Sequence, residues 1–214
     1  ADENVFSVAH SRHYWIDLDE ADWKVETLKE ITEHFDLNSV IVYVNTARTA
    51  RYLKDKLVGS AKTINILTGQ QSDEEQQQSL AAFHASKAIR PAPVVPAEGP
   101  ATLISTFDQA KRVYPVLNPR RNDPSTYPLF AIVYDIPPNA EVYNDATASP
   151  GLPRFPGRFW QRRVVINFWG KYAPEEVTRL RKELAHLHLE ELPVVLDLPD
   201  MDEPEVAHGH RSAT

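Results

Sequence analysis

The 214-residue sequence has no cysteine, which excludes disulfides and every thiolate metal site. Long apolar runs are missing too. Stretches such as 40–44 fall far short of the roughly 20 residues that cross a bilayer as a helix. The first residues, Ala1-Asp2-Glu3-Asn4, lack the basic and then apolar pattern of a secretory signal, so an intracellular protein without a membrane span is expected. With only 7 glycines, no G-x-x-x-x-G-K-S/T phosphate loop occurs. Gly59-Ser60-Ala61-Lys62-Thr63 ends like one but has no upstream glycine, and it falls between a helix and a strand. No serine sits in a nucleophile elbow. His208 and His210 have no further ligand nearby, and His186 and His188, two apart on a predicted helix, cannot share a face; no metal site is expected.

Basic residues are outnumbered 23 to 30, and the formal net charge of −7 opposes long-range attraction to phosphate. The acidic residues gather towards the two ends: Asp17, Asp19, Glu20 and Asp22, then Glu190, Glu191, Asp197, Asp200, Asp202, Glu203 and Glu205. Lys111, Arg112, Arg120, Arg121, Arg154, Arg158, Arg162 and Arg163 fall between them. An anion would therefore be met locally, in the middle of the chain.

Periodicity gives strands alternating with helices. Residues 13–18 predict a strand and 21–35 a helix with Val25, Leu28, Ile31 and Phe35 on one face. The β-branched run 39–44 suits a strand buried on both faces, and Asn45-Thr46 caps a helix to about Val58. A strand over 62–67 leads to Ser72-Asp73-Glu74-Glu75, a capping box that opens a further helix. Proline density across 90–100 rules out helix and central strand, so an inserted loop is expected there. Strands follow at 101–106, 129–134 and 163–169, with a short helix at 140–146 and a last one from Pro174 to about His188. The pattern specifies an α/β fold, doubly wound in the RecA-like style, with a mostly parallel sheet and helices on both faces. Domain limits of 12–198 are expected, after an N-terminal extension at 1–11 and before a disordered acidic tail at 199–214. A proline-rich insertion at 88–100 and a loop at 107–128 interrupt the domain.

The order of segments resembles the second RecA-like domain of DEAD-box RNA helicases, most closely the translation initiation factor 4A type. Trp23-Lys24-Val25-Glu26-Thr27-Leu28 is similar to the family's "W-K-hydrophobic-E-T-L" helix, and Val40 through Thr46 to its "hydrophobic-I-F-C-N-T" strand end. Leu67-Thr68-Gly69-Gln70 resembles "hydrophobic-H-G-D", Ile132 through Pro137 resembles "hydrophobic-I-N-Y-D-L-P", and Val165-Ile166-Asn167-Phe168 resembles "A-I-N-F". Each pattern alone is weak. Their order and spacing together carry the resemblance, from about Arg12 to Leu198.

At the positions that carry chemistry in the family, the sequence departs from it. The family's "T-D-L-L-A-R-G-I-D" reads here Thr106-Phe107-Asp108-Gln109-Ala110-Lys111-Arg112-Val113-Tyr114, so Arg112 stands at a glycine that lets backbone approach an RNA phosphate, and Tyr114 at an aspartate facing the ATP ribose. The family's "Y-I-H-R-I-G-R" reads Tyr143-Asn144-Asp145-Ala146-Thr147-Ala148-Ser149, without the arginines. Loss of one arginine finger typically lowers the rate by about 10³ to 10⁵. The "Q-x-x-R" element reads Asp73-Glu74-Glu75-Gln76, and no Asp-Glu-Ala-Asp box is present. The resemblance therefore implies a non-catalytic, helicase-like domain serving as a protein-interaction scaffold in an RNA-related complex, with no catalytic residue and no cofactor. In the family this lobe binds helical-repeat activators of the initiation factor 4G middle-domain type. The alternatives are the C-terminal lobe of an unorthodox ATP-dependent RNA helicase and a direct RNA-binding module. Lys111, Arg112, Arg154, Arg158, Arg162 and Arg163 are the candidate contacts for RNA or a partner; Trp160 and Trp169 are candidates for stacking, with core packing the simpler role for Trp169.

Overall fold

The computed structural model describes residues 6–34, 39–87, 99–114, 130–150 and 163–192. The apolar runs of the sequence become strands, and those at 39–44, 101–106, 130–133 and 163–170 are buried on both faces. Strands β2 (Ser11–Leu18), β3 (Ser39–Val44), β4 (Thr63–Leu67), β5 (Ala101–Thr106), β6 (Phe130–Val133), β8 (Arg163–Gly170) and β9 (Leu189–Glu191) form one sheet in the order β4-β5-β3-β6-β8-β2-β9. Every neighbouring pair in it is parallel. Parallel strands need crossovers, which place helices on the sheet faces and bury both sides.

Strand alternation sorts the side chains into two cores. Val40, Val42 and Val44 of β3, with Val164, Ile166 and Phe168 of β8, face helices α1 (Trp23–His34) and α2 (Ala47–Lys56) through Val25, Leu28, Ile31, Ala50 and Leu53. Ile41, Tyr43, Val165 and Trp169 face the other way. There they meet Phe83 of α3 (Asp73–Lys87), the 3₁₀ turn Phe107–Val113, Tyr143 and Ala146 of α4 (Ala140–Thr147) and Leu180 of α5 (Pro174–Glu183). The sheet is thus doubly wound, as its pattern of elements predicts.

Local signals place most boundaries. Thr46 caps α2, its Oγ1 accepting the Thr49 N–H at 3.1 Å. The capping box at α3 closes in both directions: Ser72 Oγ accepts from Glu75 N–H at 3.2 Å, and Glu75 Oε2 accepts from Ser72 N–H at 2.7 Å. Three segments differ from expectation. The last helix stops at Glu183 rather than continuing to about His188, because Leu189–Glu191 pairs with His13–Trp15 and extends the sheet. Residues 6–11 are not an irregular extension: β1 (Phe6–Ser7) pairs antiparallel with β7 (Ser149–Pro150), and Ser11 already begins β2. Of the expected insertion at 88–100, residues 88–98 lie outside the described residues; of the expected loop at 107–128, Phe107–Val113 is instead a 3₁₀ turn and 115–128 lie outside them, as does the tail at 199–214.

β2 and β8 run side by side over eight residues each, and at the end of their ladder Gly170 lies opposite Leu18. A Cβ on Gly170 would overlap the Leu18 carbonyl, which is backbone and cannot swing away. Gly170→Ala is expected to destabilise the domain by roughly 1–3 kcal/mol, as overfilling a packed site does. Urea denaturation checks this; an unchanged midpoint would refute the close approach.

Candidate functional site

In an open parallel sheet, ligands gather beyond the carboxyl ends of the strands. The segments that depart from the helicase motifs follow those ends: 73–76 opens α3 after β4, 107–114 follows β5, and 143–150 spans α4 and β7. The structure joins them to one another. Phe107, Ala110 and Val113 turn inwards, with Phe107 stacked on Tyr43 at 5.8 Å, so Lys111 and Arg112 are held on the outside. Arg112 Nη2 donates to Asp73 Oδ1 at 2.9 Å, and Lys111 Nζ lies 3.6 Å from Asp145 Oδ2. Tyr114 Oη donates to the Asp145 carbonyl at 2.9 Å; burial and the Asp145 carboxylate push its phenol up to about 12. Gln76 is buried, and its amide donates to the Thr68 carbonyl at 2.8 Å, fastening α3 to the end of β4.

These ion pairs are surface pairs, and each stabilises by no more than about 1 kcal/mol. The buried apolar side chains hold the segment. Electrostatically, however, the pairs matter: among the described residues, two cations meet two carboxylates at this end of the sheet.

Arg163, expected among the contact residues, never reaches the surface. It is 1% exposed, and its Nη1 donates to the carbonyls of Ala146 at 3.0 Å and Ala148 at 2.9 Å. Those carbonyls end α4, where unpaired C=O groups and the negative end of the helix dipole favour a cation. An arginine therefore does lie against the segment aligned with the family's arginine motif, but it faces the core. Arg154, Arg158 and Arg162 lie outside the described residues, as does Trp160. Trp169 is buried, stacked on Trp15 at 6.1 Å, with the Arg181 guanidinium 4.0 Å above the Trp15 ring.

Beside Arg163 runs a buried polar chain. Asn167 Nδ2 donates to Tyr143 Oη at 3.0 Å and to the Tyr14 carbonyl at 2.8 Å. His13 Nδ1 lies 2.8 Å from Tyr143 Oη, and its Nε2 lies 2.8 Å from the Val8 carbonyl. With the proton on Nε2, every contact is satisfied: Nε2–H donates to Val8 and Nδ1 accepts from Tyr143. Burial lowers the His13 pKa and raises that of Tyr143.

Across the sheet, Asp135 accepts from Lys24 Nζ and from the Asn45 N–H, both at 2.8 Å, while Lys24 Nζ sits 4.1 Å above the Tyr134 ring. This bridge joins α1, the end of β6 and the start of α2. The outer face of α2 carries Arg48, Arg51, Lys54 and Lys56, exposed, with Tyr52 48% exposed between them. The charge pattern Ala47-Arg48-Thr49-Ala50-Arg51-Tyr52-Leu53-Lys54-Asp55-Lys56 signalled this basic face, which the search for basic residues in the middle of the chain passed over.

No protein-family model matches the sequence. Sequence relatives do exist. The ATP-dependent RNA helicase FAL1 of Kluyveromyces lactis is 25% identical over 190 residues, 89% of this chain and 40% of that protein. The ATP-dependent RNA helicase eIF4A of Sclerotinia sclerotiorum is 24% identical over 191 residues, 87% of this chain and 40% of that protein. The C-terminal domain of the DEAD-box protein Dbp5 superposes with a TM-score of 0.57 at 22% identity, covering 87% of this chain and 92% of that one. The domain has the RecA-like α/β fold of the C-terminal domains of DEAD-box proteins. A variant S. cerevisiae Dbp5 C-terminal domain, bound to Gle1 and IP6, has the same fold at a TM-score of 0.57 and 18% identity, covering 90% of this chain and 92% of that one. S. cerevisiae Dbp5 bound to RNA and ADP BeF3 matches at 0.58 and 18%, covering 86% of this chain and 42% of that one. The lobe spans about 40% of the length of the curated relatives it matches.

Two outcomes follow from this geometry. Because the folded state disfavours charged His13, its contribution to stability is fully present above the unfolded value of 6.5 and is lost as pH falls below it. Chemical denaturation from neutral to mildly acidic pH is expected to show this decline, and His13→Gln to flatten it; an equal slope in the variant would refute the assignment. Arg163→Ala is expected to act as a core lesion, at about 1–3 kcal/mol for each α4 carbonyl left unpaired. A shift in melting temperature measures this, and a variant as stable as the parent would contradict the role.

Proposed function

We propose that this lobe is a non-catalytic, helicase-like domain that works by protein interaction within an RNA-related complex. The observation that carries this reading is the mutual wiring of the departing segments: Arg112 to Asp73, and Lys111 and Tyr114 to Asp145. Phosphoryl transfer in this fold needs cations aimed at the γ-phosphate. Here Ala146 and Ser149 stand at the two arginine positions, both buried, and the one arginine that touches this segment among the described residues caps α4 from inside. The framework that gives the lobe its shape is kept, which suits a surface recognised as a whole. That solved relatives of this fold include one bound to Gle1 supports a protein as the partner class.

A second reading, the C-terminal lobe of an ATP-dependent RNA helicase, is favoured by the relatives themselves, since FAL1 and eIF4A bear that description and are longer than this chain. The full-length protein carrying this lobe separates the two. The proposal expects no RNA stimulation of ATP hydrolysis, together with capture of a protein partner from the source-cell extract that depends on the lobe. RNA-stimulated hydrolysis that deletion of the lobe abolishes would overturn it. Direct RNA binding would instead appear as affinity falling steeply with salt, with Lys111→Ala and Arg112→Ala each lowering the slope by about 0.9.

A further inference from the structure

Several cations of the described domain are already engaged. Lys24, Lys29, Lys111, Arg112 and Lys171 each face a carboxylate within 4.0 Å, and Arg181 lies on Trp15. The outer face of α2 gathers four cations that are not. None of Arg48, Arg51, Lys54 and Lys56 forms an ion pair with a described carboxylate; Arg51 donates only to the neutral Gln70 amide at 3.1 Å. Asp55 is the single acidic residue within the helix. Beside these cations stand two of the three large apolar side chains that the described surface leaves open: Tyr52 at 48%, with Lys56 Nζ 5.6 Å from its ring centre, and, just past the end of the helix, Val58 at 73%. A helix of ten residues is about 15 Å long. Four uncompensated cations on that length, in a chain of net charge −7, form a patch of the minority sign with apolar anchors inside it.

The same chain contains the matching sequence. Residues 196–206 read Leu-Asp-Leu-Pro-Asp-Met-Asp-Glu-Pro-Glu-Val, with carboxylates at Asp197, Asp200, Asp202, Glu203 and Glu205 and apolar residues between them. The chain leaves the described domain at Leu192, whose side chain packs into the core on the side of the sheet that α1 and α2 cover. From β9 to β5, the strand on which α2 packs most, is five strand spacings, about 24 Å at 4.8 Å each. Glu205 is thirteen residues beyond Leu192, and an extended chain of that length spans roughly 45 Å. The reach is sufficient even over the top of α1. A nucleic acid is the poorer fit, because the overall charge repels a polyanion and phosphate makes no use of Tyr52 or Val58.

We propose that the exposed basic face of α2 is an intramolecular docking site for the chain's own acidic segment 197–205. The segment supplies the carboxylates that α2 lacks and screens its cations from other anions, so a competing acidic partner must displace it.

Zero-length carbodiimide cross-linking of the intact chain tests this, with the products mapped by mass spectrometry in a mixture of ¹⁵N-labelled and unlabelled protein. The expected products join Lys54 or Lys56 to carboxylates within 197–205 and carry one label only. Their yield is expected to fall several-fold in an Arg48→Glu/Arg51→Glu variant, which leaves both lysines in place. It should fall likewise in about 1 M salt, where the Debye length shrinks to about 3 Å. Absence of these cross-links would overturn the proposal, as would yields indifferent to the variant and to salt. Products joining differently labelled chains would overturn it in favour of a second copy as the occupant.

Discussion

The ladder between β2 and β8 is the constraint on which the rest of the structure depends. It aligns residues 11–18 with 163–170, the two ends of the described domain, in the interior of the sheet. A strand between two neighbours, covered on both faces, has no solvent to satisfy a polar atom, and an unpaired one costs several kcal/mol in an apolar setting. Three polar side chains of this ladder find partners inside the fold, although Arg163 Nε, Asn167 Oδ1 and Trp169 Nε1 are buried without a hydrogen bond. His13 bonds to Val8 and Tyr143, Asn167 to Tyr14 and Tyr143, and Arg163 to Ala146 and Ala148. Those partners position α4 and fix β1 against β7, so the ladder also settles the shape of the segment that aligns with the family's arginine motif.

Burial separates two kinds of cation in this protein. Arg163 and Lys24 are inside, with geometry set by fixed partners: helix-end carbonyls for one, Asp135 and the Tyr134 ring for the other. Removing either partner leaves a desolvated charge, so these are structural groups. Lys111 and Arg112 are outside, where solvent screening keeps each pair weak. Their importance lies in arrangement. Each is matched by a carboxylate from another of the departing segments. The basic face of α2 is the counterpart, an exposed run of charge that the described fold does not neutralise.

Much of this was legible in residue order. The β-branched run 39–44 is a strand because nothing in it tolerates solvent, and Ser72 with Glu75 opens α3 because a capping box satisfies backbone N–H groups locally. The motif departures were visible too, as Arg112 where a glycine is expected and Ala146 where an arginine is expected. What could not be read was direction. Arg163 closes an arginine-rich stretch of the sequence, yet as the first residue of β8 it is buried against the end of α4. The pairing of Asp73 with Arg112 joins residues 39 apart, and that of Lys111 with Asp145 joins residues nearly as far apart. No local rule relates them.

The sequence by itself determined the alternation of strands and helices, the parallel sheet and the caps, which rest on periodicities of two or 3.6 residues or on contacts within one turn, and the likeness to a helicase lobe, which rests on the order and spacing of short segments. Tertiary structure alone decided that residues 189–191 leave the helical pattern to pair with β2, and that residues 6–7 pair with Ser149–Pro150. It decided also which cations face solvent. These outcomes depend on strand neighbours far away in the chain and on which side of a pleat or helix is covered, and burial of that kind is a property of the assembled sheet.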